Sequence, residues 1–209
     1  MTQVKICGLT DPDLVRHAAQ AGADWIGFVF AQASPRHVTE AAAASLLMQV
    51  GHAVPVALLV DPEDAQIDRI AALGFPVLQL HGSESPDRVA EIKRRTGLEI
   101  WKAVGIAETE DLVRAGTYEA ADRLLVDAKP PPGAVRTGGH GLAFDWDVLK
   151  NWTSPRPWLL AGGLTPDNVA QAIRLTGAPA VDVSSGVERL RGLKDRTLVE
   201  AFLSAAKAS

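Results

Sequence analysis

With 209 residues, 47% of them hydrophobic, and a formal net charge of −4, the chain has material for one sizeable core and lacks the basic balance of a nucleic-acid binder. Cys7 is its single cysteine, which excludes an internal disulfide and fits a reducing compartment. No apolar run approaches the roughly 20 residues of a membrane span, and MTQVKICG carries no charged-then-apolar leader, so the expectation is a cytoplasmic protein with no membrane partner.

Runs rich in Val, Ile and Leu recur at 3–7, 24–30, 54–60, 76–80, 98–104, 122–127, 157–161 and 179–183. They are continuous rather than alternating, as parallel strands covered by helices require. Between them lie helical stripes: Leu14, Val15, Ala18 and Ala19; Ile67, Ile70 and Ala71; Val89 and Ile92; Val169, Ala172 and Ile173; Leu198, Val199, Phe202 and Leu203. Asp11-Pro12-Asp13, Asp61-Pro62-Glu63, Ser85-Pro86-Asp87 and Thr165-Pro166-Asp167 share one helix-start form. A capping oxygen is followed by proline at the first helical position and an acid in the first turn. Eight strand-then-helix units predict a single (β/α)8 barrel over residues 1–209. A doubly wound open sheet is the alternative, because periodicity does not show closure.

In a barrel the chemistry sits at the strand C-terminal ends. Read there, the chain offers Cys7, Arg36 in a proline-stiffened loop, Asp61, His81, Lys102, Asp127, Gly162-Gly163 and Ser184-Ser185-Gly186. Gly162 and Gly163 let backbone N–H groups approach an anion, and Ser185 and Gly186 present N–H groups at the start of a short helix. Two such turns after strands seven and eight favour a phosphate over tight turns alone. Cys7 reads equally as a small buried hydrophobe or as a reactive thiol. Asp61 is explained as a helix cap. Asp127 precedes no helix start, which favours a catalytic acid. Arg36 suits a two-pronged bond to a carboxylate. With no second histidine at a strand end, a metal site is not expected. Residues 128–143 carry no helical or strand pattern, with prolines at 130–132 and glycines at 138, 139 and 141, and read as a lid beginning just after Asp127.

KICGLT (5–10), GADWIGFVF (22–30), SPRHVT (34–39), LQLHG (78–82), LLVDA (124–128), GGHGLAFDW (138–146), LAGGLTPDNV (160–169), DVSSGVE (182–188) and GLKD (192–195) together resemble phosphoribosylanthranilate isomerase of tryptophan biosynthesis, from end to end. The loop after strand six departs from that family's usual Gly-Gly-Thr-Gly by carrying His140. The resemblance implies a (β/α)8 barrel and an Amadori rearrangement of N-(5′-phosphoribosyl)anthranilate to 1-(2-carboxyphenylamino)-1-deoxyribulose 5-phosphate. It implies Cys7 as general base, Asp127 as general acid, Arg36 on the anthranilate carboxylate, and Gly162, Gly163, Ser185 and Gly186 on the phosphate. It implies no cofactor and no metal. The only partner expected is the small phosphosugar-anthranilate substrate, bound by a monomer or homodimer.

Two other readings compete. A different sugar-phosphate barrel, such as indole-glycerol-phosphate synthase, needs a lysine and glutamate set, for which Lys102 alone is insufficient. A non-catalytic phosphosugar-binding barrel explains the anion site but leaves Cys7 and Asp127 without a role.

Overall fold

The computed structural model describes residues 1–128, 146–150 and 152–209. Eight parallel strands close into a barrel in chain order: β1 (Gln3–Cys7), β2 (Trp25–Val29), β3 (Val54–Leu59), β4 (Val77–Leu80), β5 (Glu99–Ile106), β6 (Arg123–Ala128), β7 (Trp158–Ala161) and β8 (Ala180–Val183). Closure is explicit in the register, since β1 pairs with both neighbours: Ile6 lies opposite Ile26 of β2 and Val183 of β8. This leaves the barrel sheet with no free edge and disposes of the open-sheet alternative.

Strand period sorts the side chains. Val4, Ile6, Ile26, Phe28, Leu78, Ile100, Leu124 and Val181 join the helix residues Val15, Ala18, Ile67, Val89 and Phe202 in the outer core. The alternate positions point inward. Trp25, Val56, Val77, Trp101, Leu159 and Ala180 form one interior layer. Here Trp25 and Trp101 meet edge to face, with ring centroids 5.2 Å apart. Arg123 stacks on both rings at 5.2 and 5.7 Å, and Glu99 accepts from Trp101 Nε1 and Arg123 Nε at 2.7 and 3.0 Å. This plug fills the interior toward the N-terminal ends of the strands.

The outer helices are α1 (Pro12–Gln20), α2 (Glu40–Leu47), α3 (Asp64–Ala72), α4 (Pro86–Thr96), α5 (Thr109–Gly116), α6 (Val169–Thr176) and α7 (Arg196–Lys207). Two of the four proline signatures act as expected. Asp11 and Ser85 accept from Leu14 N and Arg88 N at 2.9 and 3.2 Å, with proline at the first helical position. The other two do not. Glu63 occupies the N-cap of α3, while Asp61 sits at φ +45° and accepts from Ser83 N and Oγ at 2.7 and 2.9 Å. Its carboxylate ties the loop after β3 to the loop after β4 instead of capping a helix. At the start of α6 the N-cap is Asn168, whose Oδ1 accepts from Thr165 N at 2.8 Å, so Thr165-Pro166 is the turn before the helix. Helices α2 and α5 carried no recognised stripe. The first is an alanine run with little contrast between faces, and the second is eight residues long.

Among the described residues, β6 is followed by a 3-10 turn, Trp146–Leu149. The lid expected over 128–143 lies, beyond Ala128, outside the described residues, as does His140. After β8 come a 3-10 turn, Ser185–Val187, and a short hairpin of β9 (Glu188–Leu190) and β10 (Leu193–Lys194). Among the described residues no helix is long and apolar enough to cross a membrane.

Candidate active site

A cavity of about 660 Å³ opens at the C-terminal ends of the strands, within the size range of small-molecule sites. Cys7, Arg36, Asp127, Gly162, Gly163, Ser185 and Gly186 all line it, together with His81, Asp182 and Ser184. The barrel thus brings every expected site residue to one place, although they lie up to 179 positions apart in the chain.

Cys7 ends β1 and is 3% exposed. Lys5, two residues back on the same inward face, has no exposed surface and donates to Asp182 Oδ1 at 2.8 Å. Across on β2 stands Gly27. A Cβ there would lie 2.8 Å from Cys7 Sγ and 3.0 Å from Lys5 Nζ, so the absent side chain makes the space in which thiol and ammonium meet. Burial pushes the Cys7 thiol up from its ordinary value, Lys5 and Lys194 pull against this, and Asp182 adds to it. Asp127, facing inward from β6, lies two strands further round than β8. Its Oδ2 is 3.6 Å from His81 Nε2, and His81 Nδ1 is 2.9 Å from Gln79 Nε2, a chain of polar groups leading up from the barrel interior.

Arg36 is not a free fork. Its Nε and Nη2 are bidentate on Glu188, at 2.5 and 2.7 Å. Lys194 Nζ and Gly192 N also donate to that carboxylate, at 2.9 and 3.0 Å. Burial opposes the charge on Glu188, yet these donors hold its carboxyl down at about 2. Gly8, at φ +78°, leaves the room over which the arginine lies: a Cβ there would stand 2.5 Å from Arg36 Cδ. On the far wall Gly162 and Gly163 adopt φ +89° and +63°. A Cβ on Gly186 would sit 1.8 Å from Leu164 O, so the turn after β8 can pack against the loop after β7 only as glycine.

Lys102 does not reach the cavity. The strand runs on to Ile106, so Lys102 lies mid-strand on the outer face, between Trp101 and Ala103, which point inward. Its Nζ is committed to Glu84 Oε2 at 2.7 Å and to Gly82 O at 2.8 Å. A lysine–glutamate pair therefore exists, but buried beneath the helices. Among the described residues no group of three or more His, Cys, Asp or Glu could hold a metal ion.

A family model described as N-(5′-phosphoribosyl)anthranilate (PRA) isomerase matches residues 4–205. The chain belongs to this family. It is an isomerase of the aldose–ketose type, of tryptophan biosynthesis, on a TIM barrel. The N-(5′-phosphoribosyl)anthranilate isomerase of Hyphomonas neptunium is 65% identical over 209 residues, covering 100% of this chain and 99% of that protein. The crystal structure of phosphoribosyl anthranilate isomerase from Thermotoga maritima superposes with a TM-score of 0.89 at 34% identity, covering both chains completely. Another solved isomerase of this kind, in complex with reduced 1-(o-carboxyphenylamino)-1-deoxyribulose 5-phosphate, gives a TM-score of 0.84 at 31% identity, also with complete coverage of both chains.

For this isomerase, sequence reasoning found the groups at the mouth and missed those beneath them. Lys5, Asp182, Glu188 and Lys194 escaped notice. A signal existed for the first two: each is a lone charge inside an apolar strand, on the same face as Cys7 or Ser184. Such a charge is costly to bury unless it is paired.

Proposed function

We propose that the chain converts N-(5′-phosphoribosyl)anthranilate into 1-(2-carboxyphenylamino)-1-deoxy-D-ribulose 5-phosphate, with Cys7 as general base and Asp127 as general acid. The observation that carries this reading is that one buried thiol and one carboxylate, on separate strands, face a single cavity that also holds an arginine and two glycine-lined turns. Asp127 gives its proton to the furanose ring oxygen as the C1′–O bond breaks, leaving an imine. The Cys7 thiolate removes the C2′ proton, and the resulting enolamine tautomerises to the ketone. Hydrogen moves within one molecule, so acid and base suffice and no cofactor is called for. The phosphate binds at Gly162, Gly163, Ser185 and Gly186, which line the cavity and whose backbone N–H groups suit an anion. The anthranilate carboxylate takes the guanidinium donors of Arg36 that Glu188 leaves, at Nη1 and the second Nη2 hydrogen. The chain acts as one domain over residues 1–209, in the cytoplasm, as a monomer or homodimer without nucleic-acid or membrane partners.

The test is to mix the purified protein with freshly made phosphoribosylanthranilate and follow the loss of its anthranilate fluorescence. The wild type accelerates that loss. Asp127→Asn and Cys7→Ser each lower kcat by about 10²-fold or more while KM changes little. No acceleration over the spontaneous rate overturns the reading, and near-wild-type kcat in Asp127→Asn means that another acid works.

A further inference from the structure

We propose that Lys5 is a positioning residue for the isomerisation, an ammonium held against Cys7 to favour the thiolate, with Asp182 governing how much of its charge the sulfur feels. The inference rests on the reading of Cys7 as the base.

A lysine with no exposed surface needs a reason, because burying an ammonium costs several kcal/mol unless it is well paired. Asp182 Oδ1, at 2.8 Å, satisfies one of its three donors. Cys7, two residues on along the same inward face, also favours the charged form of the lysine. The opposite strand is cut away at this point. A Cβ on Gly27 would touch both Sγ and Nζ, so β2 gives up a side chain to let the two groups meet.

Among the described residues, the charges that face Cys7 come from three elements. Lys5 is on its own strand, Asp182 is on β8, and Lys194 is on β10, where its Nζ is anchored to Ser184 O at 2.9 Å and Glu188 Oε1 at 2.9 Å. Strand β2 brings uncharged residues, Gly27 and Val29. Arg36, His81 and Asp127 line the same cavity, and Glu188 already takes up two of the arginine's donors. Lys194 is likewise divided between Glu188 and Ser184, so among the described residues Lys5 is the cation that acts most on the sulfur. Burial works against its charge, yet Asp182 and Cys7 outweigh burial and raise its pKa, so it remains an ammonium. Asp182 then acts in two directions at once: it fixes the lysine in place, and its own negative charge opposes the thiolate.

This division gives the two partners opposite effects, which a merely structural pair would not show. Cys7 is the only cysteine, so thiolate ultraviolet absorbance, titrated against a Cys7→Ser blank, reads that one group without substrate. Lys5→Met shifts the titration midpoint upward by a unit or more, and the acidic limb of kcat/KM moves with it. Asp182→Asn shifts both downward. KM changes less than kcat at neutral pH in Lys5→Met. An unchanged midpoint in a folded Lys5→Met overturns the proposal, and so does an unchanged or raised midpoint in Asp182→Asn. Should Lys5→Met fail to melt cooperatively, the direction seen in Asp182→Asn decides. Opposite midpoint shifts in a protein that does not turn over phosphoribosylanthranilate would establish the Lys5–Cys7 coupling but remove its role in the isomerisation together with the proposed reaction; turnover without the shifts removes this inference alone.

Discussion

Glu188 shows how one carboxylate organises a binding wall. It receives both prongs of Arg36, the Lys194 ammonium and Gly192 N–H, and its side chain is 4% exposed. A carboxylate with so many charged donors contributes to stability in proportion to its displacement from 4.5 to about 2, of order 3 kcal/mol at neutral pH. The sign follows from the direction. The folded-state value lies below the unfolded one, so the contribution is complete above 4.5 and is lost as the pH falls toward about 2. Urea unfolding should therefore show the wild type losing about 2 kcal/mol more than Glu188→Gln between about pH 6 and about pH 3. The same variant loosens Arg36 and should raise KM more than it lowers kcat. A pH dependence identical in the two proteins would mean that the network is worth nothing in solution.

Among the elements, the turn after β8 is the most constrained. Its Gly186 faces the backbone of Leu164 at a distance that no Cβ can occupy, 1.8 Å from the carbonyl oxygen. Gly163 has open space around its missing Cβ and only an unfavourable φ of +63°, a cost of roughly 1–2 kcal/mol for a residue with a side chain. Gly186→Ala must displace one of the two loops that form the proposed phosphate wall, whereas Gly163→Ala strains its own backbone only. Steady-state kinetics should show KM for phosphoribosylanthranilate raised about tenfold or more in Gly186→Ala, equivalent to about 1.4 kcal/mol, with Gly163→Ala affected less. The reverse order would mean that the two loops do not act through their mutual packing.

The molecule as a whole divides along the barrel axis. The cavity occupies the C-terminal end, and the Trp25–Trp101–Arg123 plug closes the other. Trp101 has no exposed surface and lines no part of the cavity. Trp101→Ala removes a large interior side chain and leaves Arg123 without one of its two stacking faces. The cost should be about 3–5 kcal/mol, a fall in Tm of about 10 °C for a domain of this size, while KM for the substrate stays near wild type below the melting range. Calorimetry and kinetics on one preparation check both halves. A raised KM with an unchanged Tm would contradict this separation of a stabilising end from a working one.

What the sequence determined by itself was whatever depends on neighbours in the chain. Strand positions followed from runs such as 54–60, which holds β3 (Val54–Leu59), because burial on both faces of a parallel sheet writes itself into consecutive residues. Asp11 and Ser85 marked helix starts because a cap bonds an amide three residues on. The motif residues Cys7, Arg36, Asp127 and the glycine turns were legible for the same local reason, each standing where an apolar run gives way to a loop. Only the tertiary structure decided the remainder, because it depends on register between distant segments. Lys102 reads as a strand end in the sequence, but β5 runs four residues further, and the outward parity of Lys102 buries it against Glu84. Closure rests on pairing such as Ile6 with Val183, which no window of sequence contains. The pairs in the cavity wall, Lys5 with Asp182 and Arg36 with Glu188, span 177 and 152 positions. Opposite charges so far apart recognise each other only after the barrel has closed and excluded the water that would otherwise screen them.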